Sequence, residues 1–387
     1  MPGVPGRQVP AAPQPPWLPS VPGLTALLSA APAASAVAVG LHRHGQRALL
    51  VHGTTAHVRH GGVPADEATR FEIGSLTKTF TALLLAEQAA RGELDLRDPL
   101  ARHLPPTTRL PPGGAAITLA HLATHTSGLP RLPPGLMRTA VPRLFTNPYA
   151  AFSTADTLHA LSRTRLRSRP GTRVHYSNFG VGLLGHALCA AAGTRDYASL
   201  LNARILRPLG LHDTDCGGAT PLGAPSDGTP PDDAHPAGAT HAIGYWNDRP
   251  RPPFHIPGMP AAGAVRSSVR DLLTFTEALL DPSHPASGHA VVPLRAALAD
   301  TVRPRLALRR GTQQTALIWN IRPRRDGSRL YHHSGGTRGC TAFAGFDPRR
   351  QVAVVALANC APGPGNHLIQ QAYDTLVGLG AQEEASA

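Results

Sequence analysis

Lysine is nearly missing from this chain. Of its 37 lysines and arginines, 36 are arginine and one, Lys78, is a lysine. Arginine serves every purpose of a surface cation, but it does not lose its proton, whereas lysine can. A single lysine kept beside a serine therefore suggests a place where a deprotonatable amine is needed. Cysteine is also scarce. The four residues, Cys189, Cys216, Cys340 and Cys360, lie far apart without the paired spacing of a metal site, and their number forces no disulfide framework. Aromatic residues make up only 5% of the chain, and the densest arginine groups, 163–173 and 303–325, lack the aromatic interleaving of a strand-binding groove. The net charge of +13 is accordingly read as compositional bias, with no nucleic-acid partner expected. No run approaches the ~18 apolar residues of a membrane span, so no membrane partner is expected. The proline-rich start lacks the apolar stretch of a signal peptide, which makes a cytoplasmic protein with free thiols the expectation.

The pattern that is present describes a mixed α/β (α+β) chain. Residues 1–22 read as a proline-rich tail, 23–380 as one domain with a mainly helical insertion over roughly 95–265, and 381–387 as a second tail. Ala36–Leu41 and Arg47–Val51 read as a hairpin. Thr77–Arg91 is apolar nearly all round, the mark of a buried helix. Helices are expected at 24–31, 118–124, 154–163, 180–192, 196–209 and 269–280, the last with Ser268 and Asp271 as a capping box. Ten prolines and no periodicity between Gly217 and Pro260 predict a long loop. Strands follow at 315–322, 329–333, 341–346 and 352–359, with turn signals at Asp326-Gly327 and Asp347-Pro348, then a helix over 367–379. Strands at both ends predict one antiparallel sheet built from both termini, with helices between.

Three segments carry chemistry. In Phe71-Glu-Ile-Gly-Ser75-Leu-Thr-Lys78, Ser75 and Lys78 are spaced to share one face of a helix beginning there, and a desolvated amine can serve as the base for a serine nucleophile. In Val174-His-Tyr176-Ser-Asn178, a tyrosine near an ammonium can relay a proton and Asn178 offers a donor and an acceptor. In Tyr331-His-His333-Ser334-Gly335-Gly336, paired glycines let a ligand approach a strand backbone. His121 and His125 have an i, i+4 spacing that suits zinc, but no glutamate accompanies them and a structural role is favoured. His332 and His333 should face opposite sides of their strand. No G-x-S-x-G elbow of an α/β-hydrolase is present.

In this order and spacing the S-x-x-K, Y-x-N and H-S-G elements resemble the penicillin-recognising serine hydrolases: class C β-lactamases, D-Ala-D-Ala carboxypeptidases and related esterases and acyltransferases. Gly92–Pro99, Leu122–Pro130, Pro208–Thr214 and Gly263–Asp271 extend the resemblance, which runs from about Ala36 to Asn359. It implies a β-lactamase/transpeptidase-like fold and no cofactor or metal. It implies Ser75 as the acylated nucleophile, Lys78 and Tyr176 as general base and acid, Asn178 as a substrate ligand, and the N–H groups of Ser75 and Gly336 as an oxyanion hole. His333, with Ser334 and Gly335, stands where class C enzymes carry K-T-G, and no second lysine exists to fill that place. The resemblance thus points away from strong β-lactamase turnover and toward the carboxypeptidase and esterase branches. A small ester, amide or D-amino-acid-containing substrate is expected; transfer of the acyl group to another acceptor, β-lactam hydrolysis and a non-catalytic sensor are the alternatives. Protonated His333, with Arg338 as a second cation, is expected to favour carboxylate-bearing substrates as the pH falls through the ordinary histidine range near ~6.5.

Overall fold

A computed structural model describes residues 14–141, 147–217, 240–282, 292–307 and 314–381. Its centre is an antiparallel sheet of eight strands: β1 (Ala36–Arg43), β2 (Gln46–Gly53), β3 (Leu306–Ala307), β4 (Gln314–Thr315), β5 (Asn320–Pro323), β6 (Arg329–Gly336), β7 (Thr341–Asp347) and β8 (Val352–Ala358). Their order is β2-β1-β8-β7-β6-β5-β4-β3, so the N-terminal hairpin closes onto the C-terminal meander, as the sequence predicts. The register pairs Val37 with Ala358 and His333 with Ala344.

Strands β7 and β8 are buried along their whole length because helices cover both faces. Side chains alternate across a strand, and the two cores divide accordingly. Ala36, Ala38, Ala342, Ala344, Val355 and Leu357 face one cluster, which includes helices α1 (Thr77–Ala90), α2 (Asn178–Ala191), α3 (Val269–Leu280) and α4 (Val292–Thr301). Val37, Val39, Leu41, Phe343, Val354 and Ala356 face the other, beneath α5 (Leu368–Ala381). Packing starts before residue 23: Leu18 and Val21 are buried in this second cluster. Residues 77–88 of α1 are all buried, which accounts for its lack of a polar face.

Two expected elements differ. The single strand over 315–322 is broken at Ala316–Trp319, where Ile318 adopts φ +66° and donates its N–H to the Ala123 carbonyl at 2.7 Å. That bond and the complete burial of Trp319 against Phe275 and Phe346 outweigh strand propensity. The helix expected over 196–209 is α-helical only from Tyr197 to Leu201, then continues as a π-helical turn over Asn202–Leu206. Ser268 does cap α3, but the Asp271 carboxylate accepts from the Asp213 N–H and the Thr214 hydroxyl, so the capping box is half built. The sequence reading lacks α4 and a small sheet of Phe71–Glu72, Val265–Ser267 and Asp215–Cys216. Strands of two or three residues are too short to display a period. Of the loop expected between Gly217 and Pro260, residues 218–239 lie outside the described residues, as do 1–13 of the N-terminal tail and 382–387. All four cysteines are free and buried. Among the described residues, no helix is long and apolar enough to cross a membrane, and no group of three or more His, Cys, Asp or Glu side chains could hold a metal.

Candidate active site

Ser75 lies on a 3-10 turn, Gly74–Leu76, that leads directly into α1. The turn is wedged between Val265–Ser267 and the end of β6. Ile73 donates to the Val265 carbonyl, and the Thr77 hydroxyl accepts from the Val265 N–H. On the other side, a Cβ on Gly335 would lie 1.9 Å from the Ile73 oxygen, so β6 meets the Ser75 turn backbone to backbone. Gly74, at φ +49°, faces Gly336 in the same way.

Lys78 follows one turn along the helix. Its Nζ donates to Ser75 Oγ at 2.9 Å and to the Ala262 carbonyl at 2.6 Å. The side chain is fully buried. Burial lowers the lysine pKa; the Tyr176 hydroxyl works in the opposite direction and the Arg131 charge adds to the lowering. Tyr176 lies 101 residues further along the chain, and its hydroxyl donates to Ser75 Oγ at 2.7 Å. Its placement is set by its neighbours. His175 donates its N–H to the His125 carbonyl, the Ser177 N–H donates to His125 Nδ1, and the Ser177 hydroxyl donates to Pro130 O. The same Ser177 oxygen caps α2 by accepting from the Gly180 N–H.

Ser75, Lys78 and Tyr176, read from segments a hundred residues apart, thus converge on one oxygen. Asn178, at the head of α2, donates through Nδ2 to the Tyr149 hydroxyl at 3.2 Å, while its Oδ1 is buried with no protein partner. Such an acceptor is a candidate to receive a ligand N–H. Ser334 is half-buried and Gly336 exposed, so this end of β6 opens to solvent. Arg338 stacks over the Trp246 indole, its guanidinium carbon 4.8 Å from the ring centre.

His333 departs from the sequence expectation. It is buried, its Nδ1 has no hydrogen-bond partner, and its pKa is driven well below the ordinary value by burial first and then by the charge of Lys78. It therefore has no titration near pH 6.5 to exploit, and the expected pH-dependent preference for carboxylates is corrected: His333 offers a neutral imidazole. His332 does face the opposite way, beside Phe343 and Tyr373. His121 completes a capping box with Thr118 rather than pairing with His125 on a metal.

Four contributors were not recognised from sequence. The Ala262 carbonyl fixes Lys78. The His125 ring lies under Tyr176 with ring centres 4.6 Å apart. The Arg131 guanidinium carbon lies 5.6 Å from the centre of the Tyr176 ring, and Tyr149 holds Asn178. His125 and Ala262 fall in or beside stretches that carry the family resemblance, which was the available signal. Tyr149 had none.

The buried histidines have a consequence for stability. His125 is pushed down to about 3 and His332 to about 4, with burial the leading cause in both, and His333 lies low as well. Unfolded histidines take up protons below pH 6.5 while these stay neutral, so stability is lost as pH falls from about 6.5 toward 4. Each contributes a slope of up to about 1.4 kcal/mol per pH unit. Asp271, raised to about 6 by burial, acts in the opposite sense between about 4 and 6, and Glu72 and Asp347, also raised by burial, act with it. His121 and His186, lowered by burial, add to the histidine side, which makes five groups against three. Urea midpoints measured at pH 7, 5.5 and 4.5 should decrease in that order; a flat series contradicts the buried, neutral histidines.

The antiparallel sheet with helices on both faces is similar to that of class C β-lactamase structures. A class C β-lactamase structure from Rhodobacter sphaeroides superposes with a TM-score of 0.71 at 25% identity, covering 92% of this chain and 97% of that one. A second class C β-lactamase gives 0.73 at 21% identity, covering 93% and 95%. The Beta-lactamase family model matches residues 24–378, and the chain belongs to that family, whose members are serine hydrolases. The D-alanyl-D-alanine-carboxypeptidase/endopeptidase AmpH of Escherichia coli K12 is 37% identical over 170 residues, 44% of this chain and 42% of that protein. The human putative beta-lactamase-like 1 is 30% identical over 351 residues, 85% of this chain and 64% of that protein. The chain therefore spans less than two thirds of the length of these relatives.

Proposed function

We propose that the protein is a serine hydrolase that forms an acyl-enzyme on Ser75 and hydrolyses a small ester or amide, of the esterase or D-peptidase type. The observation that carries this reading is the pair of hydrogen bonds on Ser75 Oγ, from a sealed lysine at 2.9 Å and a tyrosine at 2.7 Å. A lysine with a lowered pKa takes the Ser75 proton as the oxygen attacks the substrate carbonyl carbon. The N–H groups of Ser75 and Gly336 receive the oxyanion. The tetrahedral adduct collapses, the carbon–oxygen or carbon–nitrogen bond to the leaving group breaks, and the departing alcohol or amine gains a proton through Tyr176. Water then adds to the acyl ester by the same route and frees Ser75. Asn178 Oδ1 is suited to an amide N–H of the substrate. A neutral His333 and the absence of a second lysine speak against efficient β-lactam turnover. The carboxypeptidase name carried by the Escherichia coli relative places D-alanyl peptides in the substrate panel.

The test is a fluorophosphonate or penicillin probe followed by peptide mass analysis. Mass should be added to the peptide containing Ser75 and lost in Ser75→Ala. p-Nitrophenyl esters, D-alanyl peptides and nitrocefin, assayed side by side with and without an acceptor alcohol or amine, then assign the reaction. Efficient nitrocefin turnover without ester or peptide turnover would reverse the ranking. Product appearing only with the acceptor would make the protein an acyltransferase.

A further inference from the structure

Glu72 stands three residues before Ser75 and joins three walls of the site. Its Oε2 accepts from the Thr337 hydroxyl at 2.6 Å, and its Oε1 accepts from the Phe254 N–H at 2.7 Å. Thr337 begins the turn that follows Gly336. Its Oγ1 accepts from the N–H groups of Gly339 (3.1 Å) and Cys340 (3.0 Å), and its own N–H donates to the Cys340 carbonyl. Phe254 in turn meets the edge of Tyr149, the residue that holds Asn178.

We propose that Glu72 is a positioning residue that holds the 336–340 turn, and with it the Gly336 N–H, at its working distance from Ser75. The inference rests on the acyl-enzyme reading above. The donor count makes the carboxylate specific. A hydroxyl has one donor and two acceptor sites, and both acceptor sites of Thr337 are taken, so its O–H has to donate. The Phe254 N–H also has to donate. Two donors require two acceptors on residue 72. A glutamine offers one oxygen and one NH2: in either orientation it sets a donor against the Phe254 N–H or against a hydroxyl with no free lone pair. Burial raises the Glu72 pKa, while the bonds from Thr337 and Phe254 and the charge of Arg266 pull it back. The half-buried carboxylate thus presents one oxygen to each of the two donors.

The experiment compares Glu72→Gln, Thr337→Val and Thr337→Ser with the full chain. The readouts are the rate of fluorophosphonate labelling of Ser75 per folded molecule, kcat and KM on the best ester, and amide exchange of the 334–341 peptide. Glu72→Gln and Thr337→Val should each lower labelling and kcat by about 10- to 100-fold, with KM changed by less than about threefold. The double variant should be no worse than either single one, because both cut the same tie. Exchange across 334–341 should quicken in both, and Thr337→Ser, which keeps the hydroxyl, should behave as the parent. If Glu72→Gln does not fold, Thr337→Val reads the same tie from its other end. Parental labelling with parental exchange in a folded variant overturns the inference. Failure of the parent itself to label overturns the acyl-enzyme reading instead, and the exchange comparison still decides whether Glu72 holds the turn.

Discussion

Replacing Lys78 by arginine should lower kcat/KM by about 10²-fold or more, the share of rate a general base supplies. The structure sharpens this expectation. Lys78 Nζ is sealed from solvent, touches Ser75 Oγ and the Ala262 carbonyl, and has its pKa lowered chiefly by burial. A lysine in such surroundings can shed its proton and become the acceptor that Ser75 needs. Arginine at the same place keeps its charge at any pH the protein survives. It must therefore stay ionised away from solvent and cannot take the serine proton. Lys78→Met is the companion variant. It preserves most of the apolar stem, removes the buried charge and supplies no base. Both variants should fail to turn over substrate, while thermal unfolding separates them, with the methionine protein melting above the arginine protein. Near-parental turnover by Lys78→Arg would refute the base role of the amine. Equal melting temperatures would indicate that the site tolerates a permanent charge, and the argument from burial would fail with it.

The parts of this site legible in the sequence were those whose chemistry is written locally. Ser75 and Lys78 are three residues apart, and Lys78 is the single lysine of the chain. Tyr176 and His333 entered through short segments that resemble one family, and the sheet that joins β1 to β8 followed from strands at both ends of the chain. What could not be read depends on tertiary approach. The Ala262 carbonyl is a backbone atom 184 residues from Lys78. Tyr149 reaches Asn178 from a segment with no periodicity. The low pKa of His333 arises from burial and from Lys78 across the site, neither of which is a property of the H-S-G segment. The broken strand at Ile318 likewise reflects one long-range hydrogen bond to Ala123 and the space needed by Trp319. Glu72 lay in plain view inside the first motif. Its partners, Thr337 and Phe254, gave it meaning only when the fold placed them together.

Gly335→Ala is expected to cost both stability and activity. An added methyl would lie 1.9 Å from the Ile73 carbonyl oxygen and 2.9 Å from the Leu76 nitrogen. Both are backbone atoms of the turn that carries Ser75, so neither can swing aside as a flexible side chain could. β6 and the turn must separate, and strand interiors use glycine where another backbone approaches this closely. The overpacking should destabilise the fold by about 1–3 kcal/mol. The catalytic loss should exceed that of a general destabilisation. Ser75 and Lys78 travel together on the turn and α1, but Gly336 stays with β6, so the two N–H groups proposed for the oxyanion lose their common focus. Misplacement of about an ångström is enough to lower kcat/KM by about 10²-fold. Gly363→Ala is the matched control, because a methyl there meets nothing within 4 Å. Urea unfolding and the fluorophosphonate labelling rate of Ser75, normalised to the folded fraction, separate the two effects. Labelling at the parental rate in folded Gly335→Ala would mean that the contact between β6 and the Ser75 turn serves packing alone, and the oxyanion role proposed for Gly336 would fall.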